Sequence, residues 1–529
     1  MTRRQIMLVF WGVMLAMLLA ALDQTIVATA LPTIALDLHG IQHYAWVADA
    51  YLLTATITVP LYGKLSDMYG RRVLFLVSIS IFLAGSALCG LSQSMTQLIG
   101  FRALQGFGAG GIIPLAQATI GDLFSARERG RYAGYTGAVF ASASIIGPLV
   151  GGWLTDSVSW RWIFYINLPL GALALFVIGT RMHLPFRKRE HQVDYLGAAV
   201  LTFSVVCLLM VAIWGGVTFP WASGQIVGLV LAGAVGLGIF VIVERRAAEP
   251  IIPLGLFRDS IFNVTAGTAF LFGVAMFGAI FFIPLFMQVV VGVSATNSGI
   301  VIMPLMLGWV ATSVIAGQIV SRTGRYKLLP IFGSFVVVFG FYLLTRLGVA
   351  SSQGAGILDM VVLGLGMGMV FQIYLVAMQN SIKPKDMGSA TATVQFFRSM
   401  GATFGVAAFG TIFLTRFTAQ CVQRLGAAAA ECANPSRLLA GTTTSVGPSA
   451  HAEAVRLSLS SSLHDVFLGT LWVALIALVF AFLLKEKPLR TTSNVSAALS
   501  SEVGPVAEEG AQEAGEATVE RTPTGQRAQ

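Results

Sequence analysis

The sequence predicts an all-α membrane protein with fourteen transmembrane helices: two parallel six-helix bundles, with two further helices inserted between them. Three observations carry this. Fourteen long apolar runs fill the chain. Lys and Arg gather in alternate loops. A set of glycines recurs at a fixed spacing in the two halves.

The 529 residues are 56% hydrophobic and only 11% charged, with a mean hydropathy of +0.79. A water-soluble domain keeps about a quarter of its residues charged, so lipid is the natural solvent. Only helices and closed barrels satisfy the backbone inside a bilayer. A spanning helix needs about 20 apolar residues, and a barrel strand about 10 of alternating character; the runs match helices. They cover residues 6–28, 44–65, 73–92, 98–121, 131–155, 162–182, 195–214, 225–244, 262–288, 297–320, 328–347, 355–378, 390–415 and 464–484. The first follows Arg3 and Arg4, as a signal peptide would. It stays apolar through Ile26, Val27 and Leu31 with no cleavage site, and reads as a retained span.

The net charge is +9. With the N-terminus inside, most Lys and Arg fall in cytoplasmic segments, among them Lys64, Arg127, Arg129, Arg131, Arg187, Lys188, Arg245, Arg322, Lys327, Lys383 and Lys485, while the short outer loops hold Arg161 and Arg346. That bias places both termini in the cytoplasm and requires an even number of spans. It also explains the basic charge without nucleic acid. Residues 416–463 form a long outer loop rich in Ala, Ser and Thr. Cys421 and Cys432 lie in it, on the oxidising face, where a disulfide or two free thiols both fit. Cys89 and Cys207 lie in apolar runs and read as packing residues. The tail 486–529, with Glu502, Glu508, Glu509, Glu513, Glu516 and Glu520, has a disordered composition.

Gly63, Gly70 and Arg71 recur 254 residues on as Gly317, Gly324 and Arg325. Further along, an offset of 258 pairs Gly106 with Gly364, Gly108 with Gly366, Gly110 with Gly368, Gly130 with Gly388, Gly147 with Gly405 and Gly152 with Gly410. The repeat unit is six spans. The division is therefore 1–190, a first bundle; 191–255, two inserted helices; 256–485, a second bundle; and 486–529, the tail. Both halves start on the same side, as in parallel-repeat transporters whose substrate sits between the halves.

Several segments resemble motifs of the major facilitator superfamily, and in particular its fourteen-spanner drug:proton antiporters. Leu22-Asp-Gln-Thr-Ile-Val-Ala-Thr-Ala-Leu-Pro32 is similar to the first-helix motif, Gly63-Lys-Leu-Ser-Asp-Met-Tyr-Gly-Arg-Arg72 to the shared loop motif, and Arg102-Ala-Leu-Gln-Gly-Phe-Gly108 to the fourth-helix motif. Gly147-Pro-Leu-Val-Gly-Gly152 is similar to the antiporter motif of helix five, and Trp160-Arg-Trp-Ile-Phe-Tyr-Ile-Asn-Leu-Pro169 is typical of the group. The likeness covers residues 1 to about 485. Met68 stands where a basic residue is common, and Ala143 where glycine often opens the helix-five motif.

The resemblance implies a major facilitator fold and a role in proton coupling for Asp23 and Arg102. It also implies a cytoplasmic gate of Gly63, Asp67, Gly70, Arg71, Arg72 and Asp122. In that gate Asp67 lies against the start of span thirteen near Gly388 and Ser389, and Arg71 pairs with Asp122. Gly147, Pro148, Gly151 and Gly152 would seal or bend the helix-five interface, a role compatible with plain close packing.

Helical rise gives depths. Asp23 lies roughly 26 Å from the inner edge and Arg102 roughly 6 Å from the outer one, so both sit at one level. Asp49 and Asp359 enter from outside to a similar depth, and all four are placed to line one outward cavity. Asp23 is the first candidate for proton carrier, since a change in its distance to Arg102 would load and release a proton; a static buried pair is the alternative. Asp49 and Asp359 either attract a cationic substrate or are simply solvated. Arg398, roughly 12 Å in from the cytoplasmic side, needs a partner or a wet cavity.

The sequence has no nucleophile–base set, phosphate loop or metal spacing, so an enzyme, a metal, a cofactor and ATP as energy source are not expected. The reading is a bacterial inner-membrane antiporter that works as a monomer. Its partners are the bilayer, protons and a small amphipathic substrate, cationic in one reading. A lipid or metabolite exporter, a proton-coupled uptake symporter and a non-transporting scaffold are the alternatives.

Overall fold

The structure is a computed structural model, and it describes residues 3–39, 43–182, 194–216, 218–292, 295–425 and 450–489. Helices lie at every predicted span. They are α1 (Arg3–Asp37), α2 (Tyr44–Tyr69), α3 (Arg71–Leu91), α4 (Met95–Leu123), α5 (Ala126–Ser157), α6 (Trp162–Tyr165), α7 (Asn167–Arg181), α8 (Tyr195–Trp214) and α9 (Gly224–Arg246), then α10 (Ser260–Leu285), α11 (Ala295–Thr323), α12 (Leu328–Thr345), α13 (Gln353–Ser381), α14 (Met387–Leu425) and α15 (Ala450–Leu483). The sixth predicted span is made by α6 and α7 together. Twelve stretches among the described residues are long and apolar enough to cross a membrane. The helices alternate in direction, and the ends carrying Arg3, Lys64, Lys327 and Lys485 form what we call the basic end.

Several helix starts carry a side-chain cap, which satisfies N–H groups that have no partner in the first turn. Ser94 accepts from Gln97 N–H at the start of α4. Ser125 and Glu128 form a capping box on α5. Asp259 accepts from the N–H groups of Ile261 and Phe262 on α10. Where α10 ends, Pro284 lies in its last turn and a π-helical turn, Phe286–Val291, follows; Gly292 closes it at φ 83°.

Helices in lipid associate by close packing, so small residues mark their contacts. Gly106 and Gly110 of α4 lie against α2 at Tyr51, Thr54, Ala55 and Thr58. Their counterparts Gly364 and Gly368 of α13 lie against α11 at Leu305, Trp309 and Thr312. Gly70 and Gly324 both turn the chain at positive φ, 90° and 71°. The repeated glycines thus do the same work in each half.

Helices α1 to α7 enclose two apolar cores, one around Phe10, Met17, Phe75 and Phe82, the other around Leu22, Ile34, Trp160 and Phe164. Helices α10 to α15 enclose another, around Phe286, Tyr326, Phe341 and Phe467. The two sets meet where α2 packs on α14 and α5 on α11. The inserted helix α8 lies at this seam and touches both α2 and α14, with Leu201, Val205 and Leu209 against Ile57, Val59 and Phe396.

The outer loop differs from its expected extent. α14 continues to Leu425 and α15 begins at Ala450, so helix extends well past residues 415 and 464. At about 1.5 Å per residue, the 39 residues of α14 exceed a hydrocarbon core of about 30 Å. Buried Cys421 is disulfide-bonded. Cys432, the expected partner, and the tail from residue 490 lie outside the described residues.

Candidate functional site

Asp23 on α1 is fully buried, and two other helices, α4 and α7, converge on it. Arg102 of α4 donates from Nη1 to Oδ2 at 2.8 Å. Gln105, one turn on, donates from Nε2 to Oδ1 at 2.8 Å, and Asn167 at the start of α7 donates from Nδ2 to the same oxygen at 2.8 Å. Gln105 in turn accepts from Arg102 at 2.8 Å. Arg102 also donates from Nε to the Val47 carbonyl and lies over the Tyr51 ring, 4.1 Å from its centroid. Asn167 donates to Ser86, which donates to the Phe164 carbonyl. The result is a buried charge pair whose hydrogen-bonding groups are almost all matched, the condition under which such a pair is tolerated. One atom is left over: Asn167 Oδ1 is buried with no hydrogen-bond partner.

Of the four acids and bases placed at one level by helical rise, the structure joins Asp23 and Arg102. Asp49 is half-buried on α2, and Asp359 is buried on α13 with Oδ2 unpartnered. Neither makes an ion pair with Arg102 among the described residues. Arg398 on α14 stands over the Phe371 ring at 4.8 Å.

The second constellation lies at the basic end. Asp67, near the end of α2, reaches across to the start of α14. Its Oδ1 accepts from Gly388 N–H at 2.9 Å, and its Oδ2 accepts from Ser389 N–H at 2.7 Å and from Ser389 Oγ at 2.9 Å. A carboxylate at a helix N-terminus gains from the free N–H groups and the helix dipole. Arg71 links Asp67, at 2.7 Å, to Asp122 at the end of α4, at 3.0 Å, and donates to Ser66. Arg72 donates to the Gly179 carbonyl. Gly63 lets α2 and α14 approach: a Cβ there would stand 2.9 Å from the Gly388 carbonyl oxygen. Met68 is buried.

Beside this clasp is a second cross-contact. Gln379 of α13 accepts from Arg129 of α5 at 3.4 Å and donates to the Gln117 carbonyl of α4 at 3.2 Å. Lys64, in the loop motif, pairs with Glu249 beyond α9 at 3.2 Å. The residues of the helix-five motif part company. Gly147 and Gly151 are buried, whereas Pro148 is exposed and a Cβ on Gly152 would meet nothing within 4 Å. Gly147 packs on Thr25 of α1, whose hydroxyl donates to the Ala143 carbonyl at 2.9 Å.

A sequence model of the Major Facilitator Superfamily matches residues 13–406. The chain belongs to this superfamily. It is 39% identical over 502 residues to the "Multidrug transporter protein MdtP" of Bacillus subtilis (strain 168), covering 90% of this chain and 93% of that one. It is 38% identical over 493 residues to "Multidrug resistance protein 3" of the same organism, covering 92% and 96%. Among solved structures, the proton:xylose symporter XylE superposes with a TM-score of 0.62 at 13% identity, covering 94% of this chain and all of that one (100%); at that identity the likeness is one of fold. A major facilitator is a transporter and not an enzyme.

Sequence reasoning singled out Asp23, Arg102, Asp67, Arg71 and Asp122, because a charge near or inside a bilayer is costly and stands out. It passed over Gln105, Asn167, Ser86 and Gln379. Gln105 and Asn167 lie inside the fourth-helix motif and the Trp160–Pro169 segment, and a polar amide about a third of the way into each apolar run was the available signal.

Proposed function

We propose that this facilitator exports amphipathic small molecules from a bacterial cell in exchange for protons, by alternating access between its two halves. The observation that carries the reading is the buried Asp23–Arg102–Gln105–Asn167 network. A carboxylate on one helix with donors from two others, α4 and α7, is a proton acceptor whose loading must rearrange those helices. Protonation adds a donor where Asp23 now only accepts. Arg102 must then withdraw from Oδ2, and an acceptor must be found for the new O–H. Asn167 Oδ1, buried and unpartnered, is available by rotation of the amide. Relatives named as multidrug transporters favour efflux of drugs over nutrient uptake.

In this reading the basic end faces the cytoplasm with both termini, the Asp67 clasp is the inner gate, and the protein works as a monomer. Of the helix-five motif Gly147, Pro148, Gly151 and Gly152, it is Gly147 that keeps α5 close to α1 beside Asp23. Asp49 and Asp359, nearer the outer face, draw positively charged groups toward the pathway. The test is proton flux into proteoliposomes on addition of an exported dye. Wild-type protein moves protons opposite to dye. Asp23→Asn reaches the membrane and binds dye but moves neither. Normal dye-driven proton movement in that variant ends the proposal, and co-directional movement replaces antiport by symport.

A further inference from the structure

The half formed by α10 to α15 contains a cavity that the proton network and the clasp do not use. It is lined by Phe272 and Met276 of α10, Trp309 of α11, Met367 and Phe371 of α13, and Arg398 of α14. A second, smaller cavity shares the wall made by Phe272, Val370 and Phe371, and its far side carries Thr268 and Tyr374.

Among the described residues, Arg398 is the only charged group lining either space. It lies eleven residues into α14, roughly 16 Å from the basic end, and so near the middle of a core of about 30 Å. Its guanidinium offers five N–H donors. Among the described residues none of them meets a carboxylate or makes a hydrogen bond; its one recorded neighbour is the face of Phe371. An aromatic face attracts a cation but accepts no directed hydrogen bond of ordinary strength. A cation at such depth is expensive unless matched. The hydroxyls of Thr268 and Tyr374 are also buried without hydrogen-bond geometry to another group. The space is therefore aromatic and apolar, and Arg398 brings donors to it that no protein acceptor among the described residues takes up. The charge is peculiar to this half, since the residue at the repeat-equivalent position is Phe140. Asp49 and Asp359 do not line it.

We propose that this cavity is a subsite for the anionic end of an aromatic amphiphile, a carboxylate or phenolate oxygen, with Arg398 as its counter-ion. The flat body of the ligand lies among Phe272, Trp309 and Phe371, and Met276 and Met367 adapt to its shape. That this ligand is cargo rests on the export reading above; that it binds does not.

The test uses the full-length protein in detergent and two probes, a diethylaminocoumarin carboxylic acid and its ethyl ester, read by fluorescence anisotropy. Wild-type protein binds the acid tighter than the ester by about tenfold or more, the scale of a charge-assisted bidentate contact. Arg398→Gln abolishes the preference and leaves ester binding unchanged, while Arg398→Lys retains part of it. Equal binding of acid and ester by wild type, no binding of the acid, or an undiminished preference in Arg398→Gln overturns the inference. An anionic lipid headgroup offers the same oxyanion chemistry, so phosphatidylglycerol is titrated against the bound acid. Competitive displacement reassigns the site to lipid and overturns the cargo subsite; no displacement supports it. Failure of binding leaves proton exchange with other dyes intact, whereas failure of exchange with binding intact sinks only the export reading.

Discussion

Replacing Asp67 with Asn separates charge from shape at the clasp. The carboxylate holds four donors: Gly388 N–H, Ser389 N–H, Ser389 Oγ and Arg71 Nη1. Asn has one acceptor oxygen. If that oxygen serves Ser389, the amide nitrogen faces Gly388 N–H and Arg71, both donors. The variant therefore loses one inter-half hydrogen bond to a charged acceptor and sets Arg71 against an NH₂ group. Hydrogen bonds to charged groups contribute about 1.5–3 kcal/mol net, so the clasped state loses about 2–3 kcal/mol. In the unclasped state the side chain is hydrated, and the substitution costs little. The clasped-to-unclasped ratio then falls roughly 30- to 150-fold, enough to bring a 99:1 population toward parity. Nitroxides at Val73→Cys on α3 and Lys385→Cys before α14, both exposed, straddle the clasp; Cys89 and Cys207 are buried. Pulsed EPR should give one short distance for wild type and a second, longer one for Asp67→Asn. Ser389→Ala removes only the hydroxyl bond to the carboxylate, about 1.5 kcal/mol at the low end of that range, and should shift the ratio roughly tenfold. An Asp67→Asn distance distribution identical to that of wild type refutes the clasp.

Asn167→Leu removes one donor from Asp23 and one from Ser86, at about 1–3 kcal/mol; dye-driven proton flux should fall severalfold while dye affinity holds, and unchanged flux would remove Asn167 from the exchange. Gly147→Val drives a side chain into Thr25 of α1, so exchange should collapse, whereas Gly152→Val, with open space around it, should stay near wild type in the same vesicle assay. At the start of α10, burial pushes the Asp259 carboxyl up, but Lys487 and the N–H groups of Phe262 and Ile261 outweigh it and hold the group below the usual carboxylate range. A group whose folded pKa is depressed stabilises above its unfolded pKa, about 3.9, and loses that effect as pH falls through the folded value. The difference in Tm between wild type and Asp259→Asn should therefore be full at pH 7 and shrink below about pH 4; a difference that grows on acidification contradicts the assignment. Asp23→Asn mimics a neutral acid, and the same nitroxide pair should report a change in the clasp; an unaltered distance would uncouple the two sites.

The apolar runs were legible because lipid leaves the backbone few options, and each run had only to be counted. Levels within the bilayer were legible too, since rise per residue is fixed; that is how Asp23 and Arg102 came together on paper. Level is one coordinate, however. Azimuth around each helix depends on how it packs, and for this reason Asp49 and Asp359 shared the predicted depth but not the network. Gln105 and Asn167 carry no charge, so nothing in the sequence marks them as costly until Asp23 is seen beside them. Helices α8 and α9 read in sequence simply as apolar runs. Their hold on the seam is made by Leu201, Val205 and Leu209 against Ile57 and Phe396, and apolar contacts of that kind are indistinguishable in sequence from faces turned to lipid.

The two polar constellations are not independent pieces, because one helix belongs to both. Helix α4 carries Arg102 near one end and Asp122 near the other, twenty residues and roughly 30 Å apart. At the first end it holds Asp23 of α1; at the second it holds Arg71, which holds Asp67, which holds the start of α14. Between them Gly106, Gly108, Gly110 and Gly111 press α4 against α2 and α3 with little side chain in the way. Such a face permits sliding more readily than one of interlocked side chains. A proton on Asp23 that releases Arg102 loosens the far end of α4 from α1, leaving Gln105 as its contact there, while the near end stays tied to Arg71. Any tilt of the helix must then be taken up at the Arg71–Asp122 contact, which is half of what orients Arg71 toward Asp67. Contiguity alone does not establish coupling. What the geometry adds is that Asp122 ties α4 directly to Arg71 of the clasp, so movement of that helix bears on the clasp itself.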